Sequence, residues 1–176
     1  MRYWFFLTIA VLCAVSTKAQ ESLANQYIAP WLGHWKGELV WQKSADSVQT
    51  VEMHLIIAPL DSAGHYSWNL VYGAEQKDNR GYSLKPVDIE KGHWIVDENN
   101  GIVIDQYLIG NSFTSAFEVM GSTIVDVFEL KDDTMQVRFF SYSSQPSRVS
   151  GLGTEDIPTV NSYRMQSVQN VTLRKL

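Results

Sequence analysis

Between residues 102 and 142 the chain alternates apolar and polar residues in short segments, broken at Gly110-Asn111, Gly121-Ser122 and Asp132-Asp133. A side-chain period of two is the pattern of a half-buried strand, and two-residue breaks of this chemistry are hairpin turns. The constraint is severe. Strands joined this tightly pair antiparallel with their neighbours in sequence, because a parallel pair needs a crossover of a dozen residues or more.

The same pattern extends outward. Strands are predicted near 35–43, 48–58, 65–73, 81–86, 92–97, 101–109, 112–120, 122–130, 134–142 and 162–175. The separators hold turn residues and no helix-length pattern; only Gln145 to Val160, with Pro146, Gly151, Gly153 and Pro158, reads as a long loop. Ahead of the strands, Leu23, Tyr27, Ile28, Trp31 and Leu32 form an amphipathic lead-in over 20–32, read as a short helix. So many short strands in up-and-down order would expose edges unless they close. The expected fold is all-β, an up-and-down antiparallel barrel of about 8–10 strands with a short N-terminal helix.

Turn type predicts register. Gly110-Asn111 and Gly121-Ser122, as glycine-first turns, set Ile109 opposite Ser112 and Met120 opposite Thr123; Asp132-Asp133 sets Lys131 opposite Thr134. Four rows then share one face: Leu108–Phe113–Leu130–Met135, Gln106–Ser115–Phe128–Val137, Ile104–Phe117–Asp126–Phe139 and Ile102–Val119–Ile124–Ser141. That face is nearly all apolar, whereas Asp105, Glu118, Glu129, Gln136 and Arg138 fall on the other, and a one-residue slip would scramble the separation. A three-residue Asn99-Asn100-Gly101 loop with Gly101 left-handed adds Val96 beside Ile104 and Trp94 beside Gln106.

The first residues have a different character. Arg2 precedes an apolar run from Tyr3 to Val15, and Thr17 and Ala19 suit a cut before Gln20. This is the layout of a signal peptide over 1–19, too short for a spanning helix, and implies a secreted or periplasmic protein with no membrane span after processing. The cut also removes Arg2, Lys18 and Cys13, leaving 12 cations against 19 anions, a balance of −7 in place of −5. An exported domain without cysteine has neither a disulfide nor thiolate chemistry. The acidic balance argues against nucleic acid as a partner, since phosphate neutralisation needs clustered cations.

Gly33-His34-Trp35-Lys36-Gly37-Glu38 opens the first strand, and Asn170-Val171-Thr172-Leu173-Arg174-Lys175 closes the last. With the hairpins between them, these segments resemble the calycin superfamily, the lipocalin and fatty-acid-binding-protein barrels, over residues 33–176. The resemblance implies a lipocalin-like domain in which Trp35 packs across the closed bottom of the barrel. Ten strands are closer to the fatty-acid-binding type, although only Ser44 to Ser47 lies where that type has its helix-turn-helix lid. The same opening is similar to that of nitrobindin-like haem barrels, which use a histidine late in the chain. Here the histidines are His34, His54, His65 and His93, so no haem, and no other cofactor, is expected.

The predicted interior is apolar except for Gln106, Ser115, Asp126 and Ser141. Hydrophobic walls with a few placed polar groups are the character of a small-molecule site. The candidate ligand-binding residues are therefore Trp94, Phe117, Phe128 and Phe139 as walls, with Gln106, Ser115 and Asp126 orienting a polar end. Trp41, Tyr66, Trp68 and Tyr72 alternate and extend the same wall. Spacings for a metal site or a nucleophile elbow are missing, so neither a metal nor a catalytic residue is assigned. The expected partner is a small hydrophobic molecule. The alternatives are an enzyme using Asp126 or a histidine as acid or base, and a filled barrel serving protein interaction. For the latter, Tyr107, Ile109, Val125, Val127, Phe140 and Tyr142 interrupt the outer polar face and suit a partner or a homodimer.

Overall fold

The computed structural model describes residues 22–176; the expected signal peptide over 1–19 and its cut after Ala19 lie outside the described residues. Helix α1 (22–28) runs into a 3₁₀ turn, Ala29–Trp31, where Pro30 sits early enough that its missing N–H breaks no bond. Ten strands follow: β1 (Gly33–Ser44), β2 (Ser47–Ile57), β3 (Tyr66–Tyr72), β4 (Asp78–Asp88), β5 (His93–Asp97), β6 (Val103–Ile109), β7 (Ser112–Val119), β8 (Ser122–Lys131), β9 (Thr134–Ser150) and β10 (Val160–Lys175). Each pairs with the next, and β10 returns to β1, closing an all-β, up-and-down antiparallel barrel.

The turn chemistry sets most registers as expected. Ile109 opposes Ser112 about Gly110, which is left-handed at φ 62, and Lys131 opposes Thr134 about Asp132 at φ 52. Between β5 and β6, Trp94 opposes Gln106 and Val96 opposes Ile104, with Gly101 at φ 101. The β7–β8 hairpin departs. Val119, not Met120, opposes its partner, which is Ser122, so the turn residues are Met120 and Gly121. Both have positive φ, 50 and 75, the signature of a type I′ turn, whose twist matches the flanking strands.

The correction slides β8 by two residues against β7. Because the pleat repeats every two residues, the same side chains still face inward. Their neighbours change: the rows are Phe113–Phe128–Val137, Ser115–Asp126–Phe139 and Phe117–Ile124–Ser141. Asp126 therefore lies beside Ser115 rather than Phe117. The slide also brings Phe128 across from Phe113, and both are buried.

Two segments read as turn or loop are partly strand. β4 starts at Asp78, inside the expected Gly73–Arg80 separator, so the turn is confined to 73–77. β9 continues into the expected 145–160 loop as far as Ser150 and β10 begins at Val160, which leaves 151–159 as the loop. Pro146 is accommodated opposite Tyr163, where the β9–β10 register shifts on both sides. Beyond Ser143 on β9 and before Val168 on β10, neither strand has a partner other than the other. This part is a two-stranded ribbon that rises past the barrel rim, and its residues 145–165 are exposed.

The two ends of the barrel differ. At the lower end α1 and the 3₁₀ turn bury Ala24, Ile28 and Trp31. Trp31 meets Phe113 edge-on at 4.8 Å, and Trp68 and Trp94 meet the same ring at 5.6 and 5.7 Å. Trp35 is buried among them; its Nε1 donates to the Trp31 carbonyl at 2.8 Å, and the Lys175 ammonium lies 5.0 Å over its ring. Gly37 completes that opening motif: a Cβ there would stand 2.4 Å from the Thr172 carbonyl oxygen, so only glycine lets β10 approach. Dense aromatic packing seals this end.

Candidate functional site

Above the aromatic floor the interior opens into a cavity of about 970 Å³ that faces the rim. That is within the size range of small-molecule sites. Phe117, Phe128 and Phe139 form one wall from β7, β8 and β9; Trp41, Trp68 and Tyr72 form the facing wall from β1 and β3. Alternation places these rings: each occupies an inward position of its strand, two residues from the next inward side chain.

Asp126 projects from β8 into this apolar setting and is 9% exposed. Its Oδ1 accepts the Ser115 backbone N–H at 3.1 Å, and the Gln106 Nε2 lies 3.5 Å away. Among the described residues no cation pairs with it. Burial pushes its carboxyl up to about 6, and the hydrogen bonds from Ser115 and Gln106 pull it only part of the way back. At neutral pH the cavity therefore contains a buried, uncompensated negative charge.

Nearer the rim, β4 contributes Asp78, Arg80 and Tyr82, inward at successive alternate positions. The Arg80 guanidinium grips Asp78 with two bonds, Nε to Oδ1 at 3.0 Å and Nη2 to Oδ2 at 2.9 Å. It also lies over the Tyr72 ring at 4.9 Å. The Arg80 bond holds the Asp78 carboxyl below its ordinary range, and burial pushes the Tyr72 phenol up to about 12. Arg80 is the single cation on the cavity wall among the described residues, and its fork is occupied by Asp78.

Of the candidate binding residues, Gln106, Phe117, Asp126, Phe128 and Phe139 lie on the cavity wall. Trp94 and Ser115 do not. Trp94 is fully buried between Tyr66 and Phe113, below the cavity, and Ser115 is covered, reaching the site only through its backbone bond to Asp126. Tyr66 likewise belongs to the sealed end, donating to Asn25 Oδ1 at 2.5 Å. Periodicity assigns a side chain to a face, but not to a height along the barrel. Sequence reasoning missed Asp78 and Arg80, because Gly73 to Arg80 carries the composition of a turn, and Tyr82, on the expected 81–86 strand, was assigned to neither face.

None of the four histidines lines the cavity. On the barrel exterior, His34 Nε2 and His54 Nδ1 are 2.8 Å apart, and His54 Nε2 reaches Glu52 at 3.0 Å. His93 bonds Asp105 at 2.7 Å and stacks on Tyr107. Among the described residues no helix is long and apolar enough to cross a membrane.

No family model matches the chain, and no curated protein matches it. Among solved structures it is similar to a protein with unknown function of the DUF3598 family from Nostoc punctiforme, with a TM-score of 0.61 and 15% identity over 85% of this chain and 49% of that one. It is similar also to an S-type phycobiliprotein lyase from Guillardia theta, with a TM-score of 0.56 and 8% identity over 86% and 92%. A third is Rv2717c from M. tuberculosis, with a TM-score of 0.47 and 10% identity over 87% and 97%. The chain thus spans about half the length of the DUF3598 protein. At such identities the likeness speaks to fold alone, that of a closed, ten-stranded antiparallel barrel.

Proposed function

We propose that this barrel binds a small, largely apolar molecule in its interior. The observation that carries the reading is the cavity of about 970 Å³, walled by aromatic rings and containing one buried carboxylate without a cation. A barrel kept only as a scaffold gains stability by filling such a space, because voids in a core cost contacts. The test is native mass spectrometry of the purified protein, joined to titration with hydrophobic fluorescent probes. A retained small molecule, or saturable probe binding that quenches the tryptophans, supports the reading. The absence of both a retained molecule and probe binding refutes it.

The proposal includes export. Residues 1–19 have the sequence layout of a signal peptide, and the protein is then secreted or periplasmic. Intact-mass analysis of the protein from its native host should find a chain that begins at Gln20; a chain retaining residues 1–19 refutes this part. The outer-face apolar residues, with Ile109 and Tyr107 exposed, bear on the homodimer expectation. Sedimentation at increasing concentration decides it.

A further inference from the structure

The charge inside the cavity restricts what an apolar ligand can carry. Asp78, Glu98, Glu118 and Asp126 contribute to its lining against a single cation, Arg80. Arg80 is already paired with both oxygens of Asp78, so an anion arriving beside it meets a carboxylate together with the guanidinium. The common arrangement for holding a fatty acid, a free guanidinium aimed at a carboxylate, is therefore absent from the described wall. Asp126 is the opposite case: deep, shielded and without a cation.

Its surroundings reinforce the point. In the inward lattice Asp126 is flanked along β8 by Phe128 and Ile124 and across the strand pair by Phe139, with Phe117 one row away. Positions opposite and diagonal in a sheet are within reach of aromatic rings. A protonated nitrogen bonded to Asp126 would thus lie among ring faces that attract a cation, while the hydrocarbon attached to it fills the apolar space above. A neutral ligand would leave the carboxylate charge buried and unanswered, which is costly.

We propose that the ligand is a hydrophobic amine, bound as the ammonium ion with its nitrogen on Asp126 and its hydrocarbon body against the Phe117, Phe128 and Phe139 wall. This rests on the reading of the cavity as a binding site and names the chemical class it selects. Burial keeps the Asp126 carboxyl near 6, so the group is ionised at neutral pH and available to an ammonium partner.

The experiment compares three ligands of one shape: a diphenylbutylamine, the matching diphenylbutanol and the matching diphenylbutanoic acid, titrated calorimetrically at about pH 7.5, where amine and acid are both charged. The amine should bind at least about tenfold more tightly than the alcohol, as a charge-assisted bond to a desolvated carboxylate requires, and the acid most weakly of the three. In Asp126→Asn the amine-to-alcohol ratio should fall to about one. An acid that binds as tightly as the amine, an amine no tighter than the alcohol, or a ratio that survives in Asp126→Asn overturns the amine assignment while leaving the cavity reading intact. Binding by none of the three to the unmodified protein overturns both. The wild-type ranking is decisive even if the variant does not fold.

Discussion

Replacing Asp126 with asparagine should make the protein more stable, and by an amount that depends on pH. In the unfolded chain the carboxyl titrates at its ordinary value of about 3.8; burial in the barrel pushes it up to about 6. The folded form therefore holds a proton that the unfolded form has released throughout the interval between those values. Stability must fall as pH rises across that window, because the native state there binds more protons than the unfolded one. The penalty is absent below about 3.8 and complete above about 6. Each pKa unit corresponds to 1.36 kcal/mol, so the full cost is about 3 kcal/mol. Asparagine preserves the shape and an acceptor for the Ser115 N–H but never ionises. Urea denaturation followed by tryptophan fluorescence should show variant and wild type nearly equal at pH ~3.5, and the variant ahead by about 3 kcal/mol at pH ~7.5. In thermal melts at the higher pH the gain amounts to roughly 6–12 °C for a domain of this size. A difference that stays flat with pH, or a variant less stable at neutral pH, would refute the reasoning, since either means that water or a cation already compensates the charge.

Other consequences are simpler to check. Trp35→Ala removes the indole that seals the lower end and bonds the Trp31 carbonyl, and should cost about 3–5 kcal/mol in chemical denaturation; a loss below about 1 kcal/mol would show that the end is not packed as described. Met120 is 99% exposed and left-handed at φ 50, so Met120→Asn loses no packing and supplies the Asn-Gly pair that a type I′ turn favours. A gain of roughly 0.5–1 kcal/mol is expected, and destabilisation would contradict the turn assignment. Ile124→Trp places a ring into the cavity beside Phe117 and Ser141. It should weaken ligand binding at least about tenfold while altering stability by no more than about 1–3 kcal/mol; undiminished affinity would move the site elsewhere.

The sequence was informative where local chemistry has few solutions. Gly110-Asn111 and Asp132-Asp133 each permit one economical hairpin, and the strands around them pair as those turns require. Gly121 was ambiguous because glycine suits either central position of a two-residue turn, and the choice between II′ and I′ depends on whether Met120 accepts a left-handed backbone. The mistake shifted neighbours yet left every side chain on its expected face, since it was a slip of two residues. Longer-range features were harder to read. Gly151 does mark a loop, but Pro146 does not, because β9 and β10 continue past it as a ribbon in which each satisfies the other's backbone despite the register shifts. Height along the barrel axis, which separates Trp94 from Phe117 and Phe139, is set by strand tilt and stagger around the whole closed sheet. No window of sequence contains it. The Asp78–Arg80 fork was hidden for a related reason: two polar residues at alternate positions look like solvent-facing turn chemistry until the strand is seen to turn that face inward.

The indoles packed edge-on against Phe113 close the lower end and give the vessel a single door. On the proposed reading, a bound molecule must leave by the way it came, past Arg80 and Tyr82. A stopper seated on that doorway without touching the guest would slow arrival and departure by the same factor. Residence would lengthen while the equilibrium constant stayed where it was, so the time a molecule spends inside and the tightness of its hold can be adjusted separately.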